Sequence, residues 1–234
     1  MKQAFTALFA SLVLALLAAP VCAARDDGPK PLLQVYFGVL ELDDQSGQWS
    51  TSTQDPIDVN FASLPTGGLE AEYVFGRGWV HWGLNPGGSI SWKNDDTEIS
   101  GSLTEQAGGR LQVELDNSLM LAELHLGGYV RGRLGERVTT YGAAGPMVMF
   151  GSLEVNNEEI EPTPTDDSVN VPDSNSNDVN LGYYARVGID FEIEPTQHLG
   201  LGVRYLSTEL DFDETTGKLD IKGPQYVLTL SVQL

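Results

Sequence analysis

Tyr226-Val-Leu-Thr-Leu-Ser-Val-Gln-Leu234 closes the sequence, and its reading decides the fold. Tyr226, Leu228, Leu230, Val232 and Leu234 alternate with Val227, Thr229, Ser231 and Gln233. Side chains in a strand point to opposite faces with period two, so one face is wholly apolar and the other largely small and polar. A sheet that closes on itself pairs its last strand with its first, and so gives a terminal strand partners on both edges. The segment predicts a closed barrel, provided the rest of the chain supplies more strands of this kind.

It supplies seven. Leu33, Val35, Phe37 and Val39 alternate with Gln34, Tyr36, Gly38 and Leu40. Leu69, Ala71, Tyr73 and Phe75 alternate with Glu70, Glu72, Val74 and Gly76. After the turn signal Gly76-Arg77-Gly78, a third strand runs from Trp79 to about Trp92, and Pro86-Gly87-Gly88 predicts a bulge or an early exit from pairing. In the fourth, Met120, Ala122, Leu124, Leu126 and Val130 oppose Leu121, Glu123, His125, Gly127, Tyr129 and Arg131. A fifth spans about Arg137 to Leu153, with both faces apolar and small, so its orientation stays open. The sixth is the most regular: Leu181 through Ile193 at odd positions are apolar, against Gly182, Tyr184, Arg186, Gly188, Asp190 and Glu192. In the seventh, Leu199, Leu201, Val203 and Tyr205 oppose Gly200, Gly202 and Arg204.

The connections alternate in length. Those between strands two and three, four and five, and six and seven are a few residues each. The others are long and polar: Asp43 to Thr66, Asn94 to Asn117 (where Leu111, Val113 and Leu115 suit a hairpin above the main sheet), Glu154 to Asp178 and Asp211 to Gly223. In an up-and-down meander every second connection lies on the same rim, so short turns and long loops segregate. That asymmetry marks an outer-membrane barrel, not a soluble sandwich. The fold class expected is all-β, an eight-stranded antiparallel up-and-down transmembrane β-barrel.

The faces agree. The apolar face of the sixth and last strands is as long as the ~9–11 residues a tilted strand needs to cross hydrocarbon. The opposite positions hold Glu70, Glu72, Glu123, His125, Arg131, Arg186, Asp190, Glu192 and Arg204, and a charged interior fits the membrane case. Tyr226, Leu228, Leu230, Val232 and Leu234 are then expected to face lipid. Tyr183 and Tyr205 toward one rim, and Phe75, Trp79 and Phe191 toward the other, suit interfacial girdles.

Composition narrows the class. There are 33 acidic and 13 basic residues, a net charge of −20, which argues against a nucleic-acid partner. Lys2, the apolar run Ala4 to Ala19 and Val21-Cys22-Ala23 read as an export signal over residues 1–23, leaving residues 24–234 as one barrel domain. The single cysteine, Cys22, leaves with that signal, so no disulfide and no cysteine-containing metal site is expected. No later apolar run approaches the ~20 residues of a spanning helix.

With these features the chain resembles the small eight-stranded outer-membrane barrels, the group that includes the outer-membrane protein A barrel domain and the opacity-type adhesins. The carriers are the export signal, the glycine-alternating strands Gly182-Tyr-Tyr-Ala-Arg-Val-Gly188 and Leu199-Gly-Leu-Gly-Val-Arg-Tyr205, and the alternating C-terminal segment. Members usually end in Phe or Trp, where this sequence has Leu234. The resemblance implies the outer membrane as location, its lipopolysaccharide and phospholipid as surroundings, and the outer-membrane assembly machinery as the partner that reads the C-terminal segment.

Chemistry is harder to find. Some barrels of this size are lipid A hydrolases with a serine and a histidine on the membrane-facing surface. The three histidines here are His81, His125 and His198. His81 and His125 take inward positions, and His198 stands at a turn. Glu123 and His125 share a face as an orienting pair, but no nearby serine completes a nucleophile motif. No catalytic residue, cofactor or metal site is assigned. Eight strands enclose room for side chains or one small ligand, so the inward charges read as a plug in which Arg131, Arg186 and Arg204 neutralise the acids, with a narrow ion path as the alternative. The segment Glu154 to Asp178 holds eight acidic residues and no Lys or Arg. Asp173-Ser-Asn-Ser-Asn-Asp178 lacks the glycine and terminal glutamate of an EF-hand, so the segment reads as a solvated, self-repelling surface loop, with weak, diffuse binding of divalent cations as the alternative.

Overall fold

The computed structural model describes residues 31–42, 63–76, 79–102, 110–157, 174–212 and 217–234. They form eight strands: β1 (Leu32–Glu41), β2 (Ser63–Gly76), β3 (Val80–Ser102), β4 (Arg110–Arg133), β5 (Val138–Asn157), β6 (Ser174–Glu194), β7 (Gln197–Phe212) and β8 (Gly217–Gln233). Each pairs antiparallel with its neighbours in sequence, and β1 pairs with β8 to close the ring. The expected export signal lies outside the described residues.

The closing seam is where the terminal strand belongs. Val35 faces Leu230, Phe37 faces Leu228 and Val39 faces Tyr226 on the outside. Inside the same seam the Gln34 amide donates to Ser231 Oγ at 2.9 Å. The seam ends with the Leu234 N–H on the Pro31 carbonyl at 3.0 Å. Closure leaves neither edge exposed to another chain.

Parity along the strands gives the wall its two faces. On β6 the odd residues Leu181, Tyr183, Val187, Phe191 and Ile193 are exposed, while Tyr184, Arg186 and Asp190 are buried inside. The same holds for Leu228 and Leu230, 49% and 46% exposed, against Thr229 and Ser231 at 0%. For a ring of strands this is inside-out relative to a soluble protein, and it suits a lipid exterior. The orientation of β5 is now fixed: Tyr141, Met147, Met149 and Leu153 turn inward, Val148 outward.

Three expectations change. Pro86-Gly87-Gly88 makes no bulge, and the exit from pairing is local and one-sided: β3 keeps register with β4 from Val80 to Ser102 and leaves β2 only at Asn85 and Pro86. There Pro86 has no N–H to give, and the Asn85 side-chain amide reaches the Ala71 carbonyl instead, at 3.5 Å. The register shift of β3 on β2 falls nearer the turn, at Val74/Gly76. Second, most of the stretch Asp211 to Gly223 is strand and not loop, whereas the hairpin expected at Leu111, Val113 and Leu115 is present as the continuation of β3 and β4. Third, the lumen is not charged throughout.

The last two share one cause. Above the lipid-facing belt, the alternation inverts. On β7 the apolar series Leu199, Leu201, Val203, Tyr205 gives way to Leu206, Leu210 and Phe212 on the opposite parity, all buried. On β8 the series from Tyr226 onward is preceded by Ile221 and Leu219, also buried and inward. Outward positions there carry Glu209, Asp211, Asp220, Lys218 and Lys222, with Lys218 on Glu209 at 2.7 Å. Leu40, Leu42, Leu64, Leu119, Leu121, Met147, Met149, Leu153, Tyr184 and these β7–β8 residues form one apolar cluster. One wall is thus a membrane barrel at the short-turn end and a water-soluble barrel, oil inside, at the other.

Strand length requires this arrangement. β4 has 24 residues; at ~3.3 Å per residue and a tilt near 40°, it spans about 60 Å along the axis, against an apolar band of ~25 Å. The excess must meet water, and a wall meeting water outside can bury apolar groups only inside.

Candidate functional site

Between the apolar cluster and the short-turn rim lies a layer of buried ions. Inward parity brings Glu70 and Glu72 from β2, Glu123, His125 and Arg131 from β4, Arg186 and Asp190 from β6, and Arg204 from β7 into the same lumen. Glu70, Glu72, Glu123, His125, Arg186, Asp190 and Arg204 are each 5% exposed or less. Ions so buried require partners.

Each arginine has its acid. Arg204 reaches across the lumen from β7 to β4, giving Glu123 two hydrogen bonds, of 2.7 and 2.5 Å. This is the forked geometry that makes arginine–carboxylate pairs strong. Arg186 pairs with Glu70, from β6 to β2, and donates to the Tyr141 hydroxyl at 2.7 Å. Arg131 holds Glu72 through Nε at 3.1 Å and Nη2 at 2.7 Å, and pairs with Asp190 through Nη1. These links join strands that are not neighbours in the sheet, so they brace the ring from within.

Aromatic faces complete the cage. The Arg204 guanidinium lies 4.5 Å from the Tyr184 ring centroid, and Arg186 lies 4.7 Å from Tyr141 and 5.5 Å from Tyr36. Such contacts offset part of the desolvation of a buried cation. Glycines make the room. A Cβ on Gly87 would sit 2.6 Å from His125 Nε2 and from Glu70 Cβ, and one on Gly127 would collide with the Tyr184 hydroxyl.

His125 occupies the centre. Its Nδ1 is 2.8 Å from Glu123 Oε1, its Nε2 is 3.5 Å from Glu70 Oε2, and its ring packs on Tyr184 at 4.6 Å between centroids. The expected Glu123–His125 pairing is therefore present. Among the described residues the layer holds four carboxylates, Glu70, Glu72, Glu123 and Asp190, and three arginines, Arg131, Arg186 and Arg204. It is neutral with His125 as imidazolium and carries one excess negative charge with the ring neutral. His125 contacts two carboxylates and, through Nδ1, the Arg204 guanidinium at 3.4 Å, with no hydroxyl hydrogen-bonded to its ring among the described residues.

Glu192 is not brought into the layer. It points inward but lies half-exposed near the rim, opposite His198 in the β6–β7 register. His81 and His198 are also at this rim and not among the buried ions. Of the acidic segment Glu154 to Asp178, residues 158–173 lie outside the described residues. Asp178 Oδ2 accepts the Asp211 N–H at 2.7 Å, which ties β6 to β7 above the belt.

Several polar partners were not singled out in the sequence. The Gln225 amide oxygen accepts from Arg204 at 3.2 Å, and its nitrogen donates to Thr66 Oγ1 at 2.9 Å. Ser91 Oγ also donates to Thr66, at 2.8 Å, and the Tyr184 hydroxyl donates to Asn85 Oδ1 at 3.0 Å. These uncharged groups give no charge pattern to notice. Their signal is position: each shares the inward parity of the ions, at a level where that parity is polar.

Comparison with known proteins accords with this geometry. The family model described as the outer membrane protein beta-barrel domain matches residues 9–233. No curated protein matches the sequence. Among solved structures, Ail of Yersinia pestis, in complex with the heparin analogue sucrose octasulfate, is 14% identical; the match covers 88% of this chain and 99% of that one, with a TM-score of 0.45. A major outer membrane protein from Thermus thermophilus is 12% identical, with 88% and 100% covered and a TM-score of 0.46. Neisserial surface protein A is 10% identical, with 87% and 96% covered and a TM-score of 0.43. The inverted faces, the closed ring of eight strands and the match over residues 9–233 lead to one conclusion: the chain belongs to the outer-membrane β-barrel protein family.

Proposed function

We propose that this protein is a sealed, non-enzymatic barrel of the outer membrane, which carries its outer end well beyond the lipid and serves envelope integrity or interaction at the cell surface. The observation that carries the reading is the apolar cluster. Leu40, Leu64, Leu119, Leu210, Phe212 and Ile221, each 0% exposed, fill the lumen above the ion layer. An ion crossing there would shed its water among side chains with nothing to replace it. Below, the three arginine pairs occupy the space that a conduction path would need, in a ring whose strand number leaves room for little beyond side chains.

The non-enzymatic part rests on His125. A general base must stand within reach of the proton it takes, and His125 is enclosed by Glu123, Glu70, Arg204 and Tyr184.

The test is electrical. Purified protein inserted into planar bilayers is expected to give no conductance steps above background at moderate voltage, with insertion verified by its heat-dependent gel mobility. Steady ohmic steps that change size in the Arg186→Ala variant would replace the sealed reading with that of a narrow channel.

A further inference from the structure

The inner end of the lumen is open where the outer end is packed. Below the Arg131–Glu72 pair lies a cup of about 500 Å³, within the ~300–1,000 Å³ usual for small-molecule sites. It opens at the rim of short turns, which in such barrels faces the periplasm.

The lining is rich in donors. Tyr129, Arg133, His81, His198, Gln233 and Trp79 surround it. Its one carboxylate, Glu72, is held by Arg131. Among the described residues Arg133 makes no ion pair. Two buried polar atoms of the lining have no hydrogen-bond partner among the described residues: the Tyr129 hydroxyl, on a side chain only 4% exposed, and His198 Nδ1. A buried hydroxyl without a partner bears the cost of its lost hydration, and a ligand that accepts a hydrogen bond from it offsets that cost. In a chain of net charge −20, a lining whose uncommitted ion is Arg133 is a local exception, although Glu192 stands beside it at the rim, opposite His198.

We propose that this cup binds an oxyanion from the periplasmic side. The acceptor is a carboxylate or a phosphate, held by the Arg133 guanidinium at the mouth and by the Tyr129 hydroxyl deeper in. The His81 and His198 rings and the Gln233 amide supply further donors, and Trp79 covers the apolar part of the ligand. Because the mouth is wide and Arg133 is exposed, the affinity is modest, with Kd in the range of about 1 mM.

The measurement is a nuclear magnetic resonance titration of the folded protein in an uncharged maltoside micelle, following the indole and imidazole signals of Trp79, His81 and His198. The probes are inorganic phosphate, N-acetylglycine and its neutral amide. Saturable shifts with phosphate alone identify a phosphate site, with N-acetylglycine alone a carboxylate site, and with both a general oxyanion site. Arg133→Gln is expected to weaken binding about tenfold, and Tyr129→Phe, which keeps the ring, about fivefold; tenfold corresponds to ~1.4 kcal/mol. Unchanged heat-dependent mobility confirms that both variants fold. The proposal is overturned if neither anion gives saturable shifts, if the neutral amide binds as well, or if Arg133→Gln binds like the wild type.

Discussion

Glu123→Met is expected to destabilise the barrel by about 3–5 kcal/mol, the usual cost of removing one partner of a buried ion pair. The reason lies in the β6–β7 register, where Arg186 and Arg204 stand directly opposite each other. Like charges facing across a ladder repel. Glu123 for Arg204 and Glu70 for Arg186 make the arrangement tolerable. Without Glu123, Arg204 keeps no carboxylate and stands beside a second guanidinium, buried, with the Gln225 amide oxygen at 3.2 Å as its remaining oxygen acceptor. The double variant Glu123→Met with Arg204→Met removes the orphaned cation as well and should regain most of the loss, since a buried pair and its apolar replacement are often nearly equal in stability. Urea unfolding in phosphatidylcholine vesicles, followed by gel mobility across the full mutant cycle, measures the coupling. A single variant as stable as the wild type would mean that the layer is wetter than its burial indicates.

The second large effect comes from the inverted alternation. Asp220 and Ile221 are neighbours on β8, one outward and exposed, the other inward and 0% exposed. Ile221→Asp places a carboxylate among Leu219, Leu210 and Phe212 and should cost at least ~3 kcal/mol or prevent folding. Asp220→Ile changes a wetted position and should stay within about 1 kcal/mol, most of it the exposed pair with Lys222. In the belt the rule reverses: Leu228→Arg, outward toward lipid, should cost about 2–4 kcal/mol. The same vesicle unfolding assay reads all three. If Asp220→Ile proved as costly as Leu228→Arg, the division of the wall into a lipid-facing and a water-facing part would be wrong.

That division also explains what the sequence made legible. Within the belt one rule holds without exception on β6, and residues such as Val187 against Arg186 declare their faces by themselves. The ion layer follows from the same parity, which is why all but Glu192 of the expected inward charges meet there. Above the belt the rule reverses within one step, at Tyr205 and Leu206, so a search for a single continuous alternation ends at the reversal and reads the rest as loop. β5 shows the same problem from another side: Met147 and Met149 belong to the inner cluster while Val148 faces out, so both faces look apolar and neither can be assigned. The bulge expected at Pro86 failed for a different reason, a single side-chain amide from Asn85 standing in for the missing backbone contact. Contacts across the lumen, such as Arg204 to Glu123, depend on the closed ring and have no local signature.

The most direct test of a wall that changes solvent along its length is a map of lipid contact. In nanodiscs, transfer of magnetisation from acyl chains to backbone amides should appear on β7 from Leu199 to Tyr205 and on β8 from Tyr226 to Val232. It should be absent at Glu209, Asp211 and Asp220, where magnetisation transfer from water should appear instead. Acyl-chain contact at Glu209 and Asp220 equal to that at Val203 and Leu228 would contradict the inverted outer barrel.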